Sequence, residues 1–191
     1  MKRSDLEKDA AFILTSISDR DYEIPSNKNI LKVIFGWLKY IYGVQVFFVI
    51  LAYFIYREPG DLNYQMQKIA SLSLLSVPSL FVFTLVLIGA TYSHVCISLM
   101  LGDEVKNESI LLMIIKKKIS FYSRLLFIVN SLIGFILLWV GEPFIAGLGF
   151  SWFVTFLMSA LCLQGSLSRY MTPAVVSSLS KVKELLSATP K

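Results

Sequence analysis

The sequence predicts an all-α polytopic membrane protein: a four-helix transmembrane bundle with amphipathic interfacial helices at the N-terminus, in the central loop and at the C-terminus. Three observations lead there. From Ile69 to Gly102, thirty-four residues pass without one formally charged side chain, and a bilayer core asks for only about 20 apolar residues. Of the 191 residues 55% are hydrophobic and 16% charged, with a mean hydropathy of +0.67, a balance outside that of soluble domains. The basic residues, finally, gather on alternate sides of the apolar runs.

Residues 1–32 are expected to form an amphipathic arm. Ser4 and Glu7 have the spacing of a capping box, and Leu6, Ala10, Ile13 and Ile17 recur at helical spacing as one apolar stripe. Pro25-Ser26-Asn27 reads as a turn and a second helix cap. The arm lacks the continuous apolar core of a cleavable signal, so the first span is expected to act as the insertion signal.

The membrane domain covers 33–168, with spans at about 34–56, 78–100, 122–140 and 144–164. Trp37, Tyr40 and Tyr42 at one end of span one, and Tyr53 and Tyr56 at the other, read as interfacial aromatic belts. The long uncharged run exceeds one bilayer crossing, and Pro78 is expected to divide it into a short lead-in and span two. Asp103–Arg124 reads as the main internal loop with an interfacial segment ending in Lys116-Lys117-Lys118. Those lysines, with Lys39 and Arg124 snorkelling at the starts of spans, are expected to meet anionic headgroups. Gly141-Glu142-Pro143 turns the chain sharply into span four. Residues 169–191 form an amphipathic tail in which Val175, Val176, Leu179, Val182 and Leu186 share a face.

Sixteen of the 18 Lys and Arg residues fall in the N-terminal arm, the central loop or the tail, against Arg57 and Lys68 on the other side. The positive-inside rule then puts both termini in the cytoplasm, and the bacterial inner membrane suits a chain with such small outer loops. The positive charge also invites a nucleic-acid reading. No single basic patch carries it, so direct nucleic-acid binding is not expected, and anionic lipid is the simpler partner.

Gly147, Ser151, Thr155 and Ser159 fall four apart on span four, a stripe of small side chains that lets helix backbones approach. Asn130 and Gly134 on span three are the expected partners across the tight turn, and Gly89 with Ser93 offers a further packing face. Such faces leave a homo-oligomer open. Gln45 and Asn130, amides at membrane depth, are expected to bond between helices. His94 is the sharpest candidate for proton or metal chemistry, but it is the only histidine and no carboxylate accompanies it. Cys96 and Cys162 have no CxxC spacing and read as packed thiols. No nucleophile elbow, phosphate loop or paired-carboxylate pattern occurs, so neither an enzyme nor a cofactor is expected. Arg57, Glu58, Asp61, Lys68 and Glu142 are the few charges on the outer side, and they are candidates to face a partner.

In layout the chain resembles the inner-membrane entry-exclusion proteins of F-type conjugative plasmids, the TraS family. The resemblance runs over the whole chain: a polar arm (Met1 to Asn27), apolar spans from near Val33, the internal Lys116-Lys117-Lys118 and an amphipathic tail (Val175 to Leu186). It implies a protein that blocks redundant DNA transfer into its host by recognising the donor's TraG protein, through binding and not catalysis. A pore-forming bacteriocin's immunity protein has a similar size and span number and is the second expectation. A small subunit of a membrane transporter or enzyme, with His94 functional, is the third.

Overall fold

A computed structural model describes residues 2–18, 25–56 and 62–187. These are helical almost throughout: α1 (Arg3–Ser18), α2 (Asn27–Ile55), α3 (Leu62–Met100), α4 (Asp103–Glu108), α5 (Ile110–Val140), a 3₁₀ segment (Glu142–Gly147), α6 (Leu148–Ser168) and α7 (Pro173–Ser187). Four helical stretches, α2, α3, α5 and the 3₁₀ segment with α6, are long and apolar enough to cross a bilayer. This is a multi-pass membrane protein. Its long helices pack as a ring in the order α2, α3, α6, α5. The α5–α6 turn lies at one end of the ring, and α1 packs on α7 at the other, here called the termini end.

Local chemistry places the helix starts. The Ser26 side chain accepts from the Asn29 amide and caps α2, as expected from Pro25-Ser26-Asn27. Ser109 does the same for α5 through the Leu112 amide. Thr172 accepts from the Val175 amide at 3.3 Å, and Pro173 follows it where a missing N–H costs nothing. The capping box expected at Ser4 and Glu7 does not form. The helix already starts at Arg3, and Glu7 pairs with the Arg3 guanidinium at 2.7 Å.

Two other expectations need correction. Pro78 does not divide α3, which is one helix of 39 residues. Proline removes one N–H, but hydroxyls and neighbouring helices can re-satisfy the freed backbone in a membrane helix. Here the Ser76 and Ser79 hydroxyls bond the Ser73 and Ser76 carbonyls and not the freed carbonyl of Leu74, and α6 packs closely against this turn through Gly149. The stretch 103–124 is likewise no loop. After α4, the 31-residue α5 carries Lys116, Lys117 and Lys118 on an unbroken helix that continues to Val140, since lysine is a good helix former. At 1.5 Å per residue α3 is about 58 Å long and α5 about 46 Å, both longer than a hydrocarbon core of about 30 Å.

These overhangs explain a division of the interior into two cores. The first runs through the ring, from Ile30 and Ile34 to Phe48, Phe83, Leu138 and Trp152. The second lies at the termini end and joins α1 (Leu6, Ala10, Ile13, Ile17), Leu101, Val105 on α4, Leu111 on α5, and Val175 and Val182 on α7. The expected α1 stripe is therefore the buried one, packed on protein. Among the described residues of α7, Val175 and Val182 are buried and Val176 is 47% exposed; the Leu186 side chain lies outside them.

Candidate functional site

The ring is held by polar contacts that mostly end on other parts of the ring. Asn130 is fully buried on α5. Its amide nitrogen donates to Thr155 Oγ1 at 2.7 Å and to the Leu126 carbonyl at 2.9 Å. Its oxygen accepts from Ser151 Oγ at 2.7 Å. Thr155 Oγ1 also donates within α6 to the Ser151 carbonyl, and the Leu148 carbonyl is a second acceptor within reach of the single Ser151 proton. The hairpin turn and the four-residue spacing thus bring Asn130, Ser151 and Thr155 together.

The other small residues behave differently. Gly134 faces α2: a methyl group there would stand 2.4 Å from the Phe48 ring. The close approach of α6 to α3 is made at Gly149, which the sequence reading passed over, where an added methyl would meet Ser79 Oγ at 2.3 Å and the Ser76 carbonyl at 3.3 Å. Gly147 and Gly89 face open space, and Ser93 is exposed while Ser159 is half-buried. Replacing Asn130 with leucine is expected to cost roughly 1 kcal/mol, within the range measured for interhelical bonds in membranes. The loss stays modest because both hydroxyls keep their own carbonyls. Thermal unfolding of the detergent-solubilised protein checks it.

Tyrosines bridge the other seams. Tyr42 meets Thr84 Oγ1 at 2.8 Å, Tyr53 donates to Gln65 at 2.8 Å and Tyr92 to Asn27 at 2.6 Å, while Tyr56 donates to the Leu138 carbonyl. The hydroxyls of Tyr42, Tyr53 and Tyr56, expected in interfacial belts, reach across to neighbouring helices. Tyr40 and Trp37 stay exposed. Gln45 donates to the Ile145 carbonyl at 3.4 Å, with its oxygen and the Trp152 indole N–H buried and unpartnered.

At the hairpin end Lys68 and Glu142 pair with each other at 2.7 Å, their side chains only 28% and 13% exposed. These two candidates to face a partner tie α3 to the 3₁₀ segment. Arg57, Glu58 and Asp61 lie outside the described residues. His94 is exposed on α3. Among the described residues no group of three or more His, Cys, Asp or Glu could hold a metal ion.

At the termini end one side chain organises the junction. Asp9 on α1 accepts from Ser109 Oγ at 2.8 Å, the Leu111 amide at 2.7 Å and the Ile110 amide at 3.2 Å. A carboxylate from another helix thus sits on the free amides of α5, where the helix dipole favours negative charge. No sequence pattern announced it, since the partners lie about a hundred residues apart. Lys116, Lys117 and Arg124 are exposed along α5, and Lys39 is exposed on α2.

No family model, curated protein or solved structure matches the chain.

Proposed function

We propose that the protein is a non-enzymatic binding protein of the bacterial inner membrane that performs entry exclusion. Both termini lie in the cytoplasm, and the protein blocks redundant conjugative DNA transfer by recognising a TraG-like protein of the donor's transfer apparatus. The observation that carries this reading is the second core at the termini end. Parts of five helices form a packed module beyond the ring, with Asp9 locking α1 onto α5. Within the ring, Asn130, Ser151 and Thr155 serve packing, and at its hairpin end Lys68 and Glu142 neutralise each other. That module supplies a packed surface at the termini end, and it is the surface we assign to recognition.

The test is a mating assay in recipients that express this chain alone, with donors carrying related and unrelated F-type plasmids. A large fall in transconjugants for one plasmid type supports exclusion and names the partner system. Unchanged transfer from every donor, with the protein inserted, overturns it. Protection against a pore-forming bacteriocin would then assign immunity instead.

A further inference from the structure

Between α2 and α5 the ring packs most loosely. A groove of about 360 Å³ opens there, walled by Val44, Phe47, Phe48, Phe127 and Phe135, with Ser131, Gly43, Tyr40 and Lys39 completing it. Gly43 lines it, and a methyl group there would meet nothing within 4 Å, so a longer side chain at that position has room to enter the groove. Phe48 meets Phe135 edge to face, with ring centroids 5.0 Å apart, and both helices start toward the termini end, α2 at Asn27 beside Tyr92 and α5 beside Asp9, so they run side by side in the same direction.

Counting back from this contact sets the depth of the charges. Lys39 lies about 14 Å from Phe48 toward the termini end, and Arg124 about 16 Å from Phe135 in the same direction, at 1.5 Å per residue. One cation therefore stands on each helix at nearly one level. Arg124 precedes Phe127, Ser131 and Phe135 at helical spacing, so it shares their stripe. Lys39 lines the groove itself, with its ammonium 5.4 Å from the Tyr40 ring centroid.

We infer that this groove is a binding site for one anionic phospholipid. The phosphate sits between Lys39 and Arg124, and an acyl chain lies along the phenylalanines with its bulk over Gly43. The charge pattern selects this occupant. An apolar helix of a second copy would fill the walls but leave two cations at the mouth without a counter-charge, whereas a lipid phosphate answers both. The inference does not depend on the exclusion reading.

Native mass spectrometry of the full-length protein, released from detergent and titrated with phosphatidylglycerol or phosphatidylcholine of identical chains, tests it. Wild type is expected to prefer phosphatidylglycerol by about thirtyfold, roughly fivefold for each of the two cations near an anionic headgroup. Lys39→Gln should lower that preference to about fivefold. Gly43→Leu fills the groove and should reduce binding of both, while Val46→Leu, on the exposed surface outside the groove, should change neither; unfolding temperatures of all three variants show that each is folded. Equal binding of both lipids by wild type, or undiminished binding by folded Gly43→Leu, overturns the inference. A wild-type dimer that Gly43→Leu dissociates would give the groove to a second copy and overturn it too.

Discussion

Gly134→Ala is expected to destabilise the detergent-solubilised protein by roughly 2 kcal/mol, within the range for an overpacked core. Alanine normally improves a helix by about 1 kcal/mol over glycine, so the sign itself is diagnostic. The added methyl would stand 2.4 Å from Cε2 and 2.5 Å from Cζ of Phe48. That ring is 1% exposed and also packs on Phe135, so it can yield only toward the groove that it walls. Turning it there costs the contact with Phe135 and loosens the α2–α5 seam. Phe48→Leu in the same chain removes the obstructing ring atoms, and the double variant should recover at least half of the loss. If Gly134→Ala is neutral alone, or Phe48→Leu adds to its cost in full, α5 does not meet α2 at this point.

Asp9→Ala should cost about as much, some 2 kcal/mol, and act at the other end of the molecule. Three donors converge on this carboxylate: Ser109 Oγ and the amides of Ile110 and Leu111. Loss of an N-cap alone costs about 0.5–2 kcal/mol, and a negative charge at a helix N-terminus contributes up to about 2 kcal/mol when partly buried. Ser109 still caps Leu112, which keeps the loss below the sum of those figures. Asp9→Asn retains an acceptor without the charge and should fall between the two. The expected signature is local: limited proteolysis cuts α1 far faster while the ring stays folded. Uniform loosening of both cores would contradict the assignment of Asp9 to the α1–α5 junction.

What the sequence made legible follows from how far apart the deciding residues lie. Charge-free runs mark the spans because the bilayer tests every residue for polarity in the same way. The stripe Leu6, Ala10, Ile13 and Ile17 and the trio Asn130, Ser151 and Thr155 are readable from spacing within one helix or across one tight turn. Pro78 reads as a break in the sequence, and the helix packed against it at Gly149 is visible only in three dimensions. The lysine run misled because three charges look like a membrane edge, although nothing in them interrupts a helix. Gly134 and Gly149 each face a helix other than the one that adjacency suggests. Lys68 and Glu142, like Asp9 and Ser109, find each other only after the ring closes.

The proposed function requires a termini end in the cytoplasm and a hairpin end outside. Single cysteines placed in a Cys96→Ser, Cys162→Ser background test this in intact cells with a membrane-impermeant maleimide. Phe144→Cys, 54% exposed at the hairpin end, should label from outside. Asn107→Cys on α4 and Ser177→Cys on α7, both exposed, should label only after permeabilisation. Labelling of Asn107→Cys or Ser177→Cys from outside, with Phe144→Cys silent until the cells are opened, would invert the molecule and remove the cytoplasmic module on which the proposed function depends.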